Sequence, residues 1–584
     1  MKSIYIEIMD KIASAYSTED ILNYIAEVEE YSIREHGFPR LTADIGILLA
    51  HGKRMELKDI FVRMMDLCCR EIPVVRERYK EVSDDPADRA KYPEVGNNFS
   101  VREIVCCLLV LEEKNTFPKE KTEYWRNLLQ TINPETCYSV IARDPAVKVD
   151  NWAAFGAASE QVRKFAGIGD ESEFIDTQIA SQLLSFDENG MYRDPHEPMV
   201  YDIGTRLQLS IPLYFGYDGP YREQIEEMTA RGALHMLKMQ SVTGEVPFGG
   251  RSSQFLHNEA GLAAICEYEA CRYYKKGDKK LAGQFKAAAN LAKDSVMRYL
   301  DASELYHVKN RFPRDSFYGC ENYAHFKKYM ITAASFIYLA YLFADDRIEP
   351  IACPAEEGNH VFQTTPYFHK TVCKFGEYFV EYETDANFEY DANGLGRIHR
   401  KGCPSEICLS LPFAKIPNYG LDIENPSALS ICCGVYDGEN FILSAEEGTK
   451  YELLDNIVTE TKAELKWQVT LRNGSKVLET CTVTKDGVHL SFERVGEVSK
   501  AFIADEKIYA MLPVFEYDGE EKSRITTEEG IVRVTYQGHT CTYITEGKVQ
   551  DTGKVYANRN GHYRLFTAED IEKVEVKVRI GSLN

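Results

Sequence analysis

Four stretches of this 584-residue chain carry residue types that can move protons or grip an anion, each punctuated by glycine or proline. Residues 150–156 contain Asn151 and Trp152. Residues 187–206 contain Tyr192, Asp194, His196, Tyr201, Asp202 and Arg206. Residues 243–259 contain Glu245, Arg251, His257 and Glu259, and residues 311–325 contain Arg314, Tyr318, Glu321 and His325. A loop that merely turned the chain would need the glycines and prolines, but not the tyrosines, histidines and arginines. A fifth stretch, 390–402, gathers Arg397, His399, Arg400 and Lys401 in an acidic protein. It reads equally as a solvated turn or as a loop facing a cleft. Its Gly394-Leu395-Gly396 precedes no helical run and is no dinucleotide fingerprint.

Two chemistries suit these residues. Glycoside hydrolysis needs two carboxylates across a scissile bond, and Asp194, Asp202, Glu245, Glu259 and Glu321 are candidates. Elimination from a uronate needs a group that neutralises the sugar carboxylate and a tyrosine or histidine that takes the C5 proton. Asn151, His196, Tyr201, His257, Tyr318, His325 and His399 could furnish that set. The surplus of carboxylates favours hydrolysis, with Glu259 and Asp202 as the acid–base pair and Glu245 and Glu321 in reserve. Arg251, Arg206 and Arg314 would hold a sugar carboxylate bidentately. Tyr201, Tyr318 and His257 would contact hydroxyls or relay protons. Asn151, Tyr192, His196, His325 and His399 complete the expected sugar contacts.

Each residue also has a plainer reading. Trp152 and Phe155 are spaced for a helical core. Asn151 at a helix start is by type a cap. His257 and Glu259, two apart, do not share a helix face. Asp202 and Arg206, four apart, suit a helix salt bridge, and His325 suits a core position. A non-catalytic carbohydrate binder is the third reading, disfavoured by only three tryptophans for stacking.

The elements that must position these residues fall into two textures. Up to about residue 345 apolar residues recur at helical spacing, as in 54–72, 220–239 and 278–300. Helix starts are expected at Ser17, Asp150 and Thr177. About a dozen helices with short connections predict antiparallel hairpins, and no fixed repeat marks a solenoid. From Phe375 onward apolar and polar residues alternate. Asp437-Gly438, Asn473-Gly474, Asp486-Gly487 and Asp518-Gly519 fall between such runs as hairpin turns. The expected architecture is α+β and multidomain: an N-terminal (α/α) toroid over 1–350 and a C-terminal antiparallel β-sandwich over 351–584. Loops at the mouth of the toroid would share one face.

Composition narrows the partners. With 68 basic against 91 acidic residues the net charge is −23, against nucleic-acid or anionic-membrane binding. At 44% hydrophobic and 27% charged, the chain is ordinary and globular. No apolar run approaches the ~20 residues needed to span a bilayer. Glu7 and Asp10 break the first apolar stretch, so no secretory leader is expected, and a cytoplasmic location with reduced cysteines follows. No Cys-x-x-Cys and no cysteine–histidine ligand spacing occurs among the sixteen cysteines, so no metal or cofactor is expected. The expected partner is a uronate-containing oligosaccharide. An acidic toroid with a flat sandwich is compatible with a homodimer, which no residue pattern demands.

The toroid-plus-sandwich plan resembles the heparinase II/III-like polysaccharide lyases. Asn151-Trp152 and the run from Asn189-Gly190-Met191-Tyr192 to Tyr201 sit in the order and spacing of that family's asparagine and tyrosine. Trp152 stands where many of those lyases carry histidine. The stretch from Arg251 to Glu259 is more similar to glycoside hydrolase family 154, a β-glucuronidase family of the same plan. That second resemblance implies a terminal glucuronic acid as the substrate class, and the expected cytoplasmic location, where imported oligosaccharides rather than long polymers are met, favours exo-action. Both resemblances imply a uronate substrate.

Overall fold

The computed structural model describes residues 2–73, 97–424, 426–496 and 507–583. Its first part consists of helices α1 (Ser3–Ala13), α2 (Thr18–Tyr31), α3 (Gly37–Ala50), α4 (Lys58–Glu71), α5 (Val101–Glu113), α6 (Lys119–Leu129), α7 (Pro134–Cys137), α8 (Trp152–Phe165), α9 (Ser172–Leu183), α10 (Met199–Tyr214), α11 (Arg222–Met239), α12 (Leu256–Lys275), α13 (Lys279–Tyr299) and α14 (Phe326–Phe343). Six of them close a ring: α3 packs on α5, α5 on α8, α8 on α10, α10 on α12, α12 on α14, and α14 back on α3. Their partners pack outside, giving the (α/α) toroid. The inner helices are buried around most of their circumference, as α12 shows from Leu256 to Ala270, so their apolar pattern is broad.

Local signals explain some helix starts. The Ser17 hydroxyl accepts from the Asp20 backbone amide at 3.1 Å while the Asp20 carboxylate accepts from the Ser17 amide, a reciprocal capping box. Thr177, expected to begin a helix, lies inside α9, and Asn151 rather than Asp150 caps α8. The Asn151 side chain makes no capping bond, so its amide is left for other use.

The second part is all antiparallel. A four-stranded sheet runs β1 (His360–Gln363), β2 (Lys370–Phe375), β3 (Tyr378–Glu383), β4 (Gly394–Arg400). A five-stranded sheet and an eight-stranded sheet follow. They are built from β5 (Cys432–Tyr436), β6 (Phe441–Leu443), β7 (Lys450–Val458), β8 (Ala463–Thr470), β9 (Lys476–Thr484), β10 (Gly487–Val495), β11 (Ile508–Tyr517), β12 (Arg524–Glu528), β13 (Ile531–Tyr536), β14 (His539–Thr545), β15 (Val549–Asn558), β16 (Gly561–Asp570) and β17 (Lys573–Ser582). The orders are β15-β16-β11-β5-β6 and β12-β13-β14-β17-β10-β9-β8-β7. Gly438, Gly474 and Gly487 turn hairpins β5–β6, β8–β9 and β9–β10 at positive φ. Asp518-Gly519 differs: it joins β11 to β12, which lie in different sheets.

The four-stranded sheet is covered on both faces, and β2 and β3 are buried throughout. Strand alternation sorts their residues. Val372 and Phe379 join the core of the toroid, while Cys373, Phe375, Tyr378, Val380 and Tyr382 join the core of the sandwich. The toroid-side register also holds Lys370, Glu381 and Glu383, the cross-strand partners of Glu383, Val372 and Lys370. A charged sheet face thus meets the helical part. All sixteen cysteines are free thiols.

Candidate active site

A cleft of about 1020 Å³ opens into the ring. Every inner helix sends its N-terminal end there. His36 precedes α3 and Arg40 lies in its first turn. Phe99 precedes α5, Asn151 caps α8, Tyr201 is in the first turn of α10, His257 is in that of α12, and His325 and Tyr329 flank the start of α14. Each helix N-terminus carries about half a positive charge. Six of them bring a favourable potential for an anion to one point of an acidic protein.

At one corner the Arg251 guanidinium lies 4.3 Å from the centre of the Tyr201 ring. It also pairs with the Asp194 carboxylate and donates to the Pro195 carbonyl at 2.9 Å. Burial pushes the Asp194 carboxyl up to about 6, even against the pull of Arg251. Tyr323 and Tyr329 stand nearby, their rings 6.0 Å apart, and Tyr323 shares a 3.1 Å hydrogen bond with the Ser252 hydroxyl. Burial, with Tyr201 and Glu321 adding to it, holds Tyr329 well above the usual phenol range.

The rest of the wall offers neutral donors. Asn151 is buried, and its side-chain amide has no hydrogen-bond partner among the described residues. His257 leaves Nδ1 unpartnered. Burial, reinforced by Arg40 and His307, pushes it down to about 3, so the ring is neutral. His36 accepts from Arg40 at Nδ1, 2.7 Å, and burial beside Arg40 keeps it neutral too. The Asn258 amide donates to the Ser252 carbonyl at 3.0 Å.

The loop carrying Arg251 is fixed largely by the β part. Glu381 accepts from the Phe248 amide at 3.0 Å, Arg397 donates to the Val246 carbonyl at 2.7 Å, and Asp391 accepts from the Gly250 amide at 3.3 Å. Glu321 accepts from the Ser252 amide at 2.6 Å and is held by Arg559 at 2.7 Å. Gly250, at φ 74°, passes so close to Pro198 that a Cβ would meet its Cα at 2.6 Å, which locks this loop to the start of α10. Ser252 and Gln254 adopt φ of 57° and 64°, and His196 and Glu197 69° and 55°. Side-chain-bearing residues pay strain there, which a surrounding structure must hold in place.

Six of the expected site residues therefore meet in the cleft: Asn151, His196, Tyr201, Arg251, His257 and His325. The other nine lie elsewhere, each for a definable reason. Glu245 and Glu259 share the buried Lys309 ammonium at 2.8 and 2.9 Å behind the cleft wall. Burial pushes Glu259 up, and the Glu245 charge adds to that. Asp202 and Arg206 form a buried pair at 2.6 Å, and Asp202 also caps the Tyr192 amide at 2.7 Å. The Tyr192 hydroxyl donates to Gln182 at 2.8 Å. Glu321 is the anchor of Ser252 and Arg559. Tyr318 stacks on Phe312 at 3.5 Å. Arg314 donates to the Ala15 carbonyl at 3.0 Å and faces Asp20. His399 is neither a solvated turn nor a cleft loop: it lies in β4 and bonds Ser241 at 2.7 Å and Ser410 at 2.9 Å.

The cleft also uses residues the sequence reading passed over. Trp152 and Phe155, read as core, line it, packed against Phe99 at 4.8 and 4.4 Å. His36 and Arg40 come from 34–40, whose Arg-Glu-His-Gly-Phe-Pro-Arg has the same punctuation as the four chosen stretches. Asn258, Tyr323 and Tyr329 adjoin chosen residues.

No family model and no curated protein matches the sequence. Solved structures do match in fold. The structure of heparinase III aligns at TM-score 0.51 and 9% identity, over 93% of this chain and 77% of its own. Chondroitin AC lyase from Streptomyces coelicolor A3, in complex with chondroitin sulphate, aligns at TM-score 0.52 and 9% identity, over 99% and 80%. The toroid-plus-sandwich fold is thus that of known polysaccharide lyases. The expected β-glucuronidase-like hydrolase is corrected accordingly. The fold matches lead to lyases, and the two carboxylates assigned as its acid–base pair, Glu259 and Asp202, are tied up in buried ion pairs.

Proposed function

We propose that the protein is a polysaccharide lyase that cleaves a uronate-containing chain by β-elimination. The observation that carries this reading is the Tyr201–Arg251 stack in a cleft that also holds the unpartnered amide of Asn151. In the proposed reaction the sugar carboxylate accepts hydrogen bonds from Asn151 and from a neutral imidazole, which draws charge away from C5. Tyr201, acting as its phenolate with the Arg251 charge beside the ring, takes the C5 proton. The C5–H electrons form the C4–C5 double bond, the C4–O bond breaks, and Tyr201 returns the proton to the leaving oxygen. No water is consumed. The six helix N-termini favour the charge that builds on the carboxylate. The fold likeness to heparinase III and chondroitin AC lyase supports the same reading.

The test is a panel of uronate polysaccharides followed in the ultraviolet, where the new double bond conjugated to the carboxylate absorbs. Unsaturated ends that disappear in Tyr201→Phe are expected. Saturated ends without the absorbance would overturn the proposal.

A further inference from the structure

Resting on the lyase reading, we propose that the substrate is a uronate chain without sulfate groups, gripped by amide, imidazole and hydroxyl donors rather than by free cations. The argument begins with where the positive charge in the cleft already goes. Arg251 pairs with Asp194. Arg40 donates to Glu103 at 3.1 Å and to Thr332 at 2.6 Å. Lys328 lies 3.9 Å from Glu35, and Arg34 stacks 4.0 Å over Tyr31. Among the described residues, each lysine and arginine on the wall is thus engaged, and Glu27, Glu35, Asp150 and Asp194 face the same space.

A sulfate ester keeps its charge at any working pH and is satisfied by a cation or a dense set of charge-assisted donors. Diverting Arg251 to it would strand Asp194, whose side chain is 2% exposed, and Arg40 is already committed to Glu103, Thr332 and His36. An uncompensated buried carboxylate is strongly unfavourable, and Asp150 and Glu27 would repel the newcomer as well.

A uronate carboxylate makes a different demand. It must be held by donors whose bonds strengthen as charge moves onto it during elimination, and it needs no permanent counter-ion. The free amide of Asn151 and the neutral ring of His257 are of that kind. The aromatic wall of Phe99, Trp152 and Phe155 suits the apolar face of an undecorated sugar ring.

The experiment uses the full chain on matched polymers: chondroitin sulfate and heparan sulfate, each beside its chemically desulfated form, with alginate and pectate as unsulfated polyuronates. Ultraviolet absorbance and end-group mass are read together. At least one unsulfated polymer is expected to be cleaved, with kcat/KM at least about tenfold above that of any sulfated polymer. Equal or faster cleavage of a sulfated polymer, or cleavage of no unsulfated one, overturns the proposal. If unsulfated polymers are cut preferentially but to saturated ends, the charge preference stands and elimination falls, so the two failures are distinct.

Discussion

Glu321 accepts the Ser252 backbone amide at 2.6 Å, and so a carboxylate that never reaches the cleft fixes the residue next to Arg251. Arg559, from the turn between β15 and β16, grips the same carboxylate at 2.7 and 3.1 Å. The geometry of the Arg251–Tyr201 corner is therefore set by both parts of the molecule.

Tyr201→Phe keeps the ring under Arg251 and removes only the hydroxyl. Turnover is expected to fall about 100- to 10,000-fold, the usual worth of a proton-transfer group, with KM little changed. Steady-state kinetics on the cleaved polymer, with circular dichroism to confirm folding, decide it. Near-normal kcat would remove Tyr201 from the chemistry.

Asn151 makes no capping bond, so losing its side chain costs α8 little. Asn151→Ala should lower kcat about 100- to 1000-fold, the scale found for one donor to a developing oxyanion. Asn151→Asp should be worse, because it sets a negative charge against the substrate carboxylate. A mutant affected only in KM would assign Asn151 to binding alone.

Asp194 gives a pH signature. Its carboxyl titrates at about 6, so its ion pair with Arg251 weakens as pH falls through that value. The acid limb of kcat/KM should centre near about pH 6 and disappear or move in Asp194→Asn. An unchanged acid limb in the variant would mean that another group controls it.

Lys309→Met leaves Glu245 and Glu259 buried without their shared cation. The expected loss of stability is about 3–5 kcal/mol by chemical denaturation. Adding Glu245→Gln and Glu259→Gln should recover part of it. A loss under about 1 kcal/mol would show the pair to be solvated in solution.

Glu479 lies in the sandwich core with Tyr382 donating to it at 2.7 Å, and burial pushes it up to about 7. Between its unfolded value near about 4.5 and 7 the folded chain holds the extra proton. Its favourable contribution is thus complete below the lower value and is lost as pH rises through 7. Glu479→Gln should be more stable than the parent at pH about 8, by up to about 3 kcal/mol, and near parity at pH about 4.5. Melting curves at the two pH values test this, and an equal shift at both would contradict it.

How far the sequence could be read follows from the range of each signal. Helical periodicity up to Phe343 and alternation after His360 are local, so the (α/α) ring and the antiparallel sheets could be foreseen. The four punctuated stretches each deliver a cleft residue, namely Asn151, Tyr201, Arg251 and His325, because loops before alternate helices of a ring open at one end. The carboxylates escape local reading for the opposite reason: their partners are distant in the chain. Nothing near Glu259 or Glu321 in the chain announces Lys309 or Arg559, and a glutamate with a distant buried partner has the same local context as a free one. Trp152 and Phe155 have core spacing, and the core they face is hollow.

The grip of Glu381, Asp391, Arg397 and Arg559 on the Arg251 loop also bears on how such a molecule can be taken apart or recombined. Cutting the chain between Phe343 and His360 would free that loop from the partners that shape it. A helical fragment that kept its ring would still lack the partners that place Arg251. Grafting on another protein's strands would restore turnover only if they carried the matching carboxylates and guanidinium groups, so inheritance should treat the two parts as a single unit.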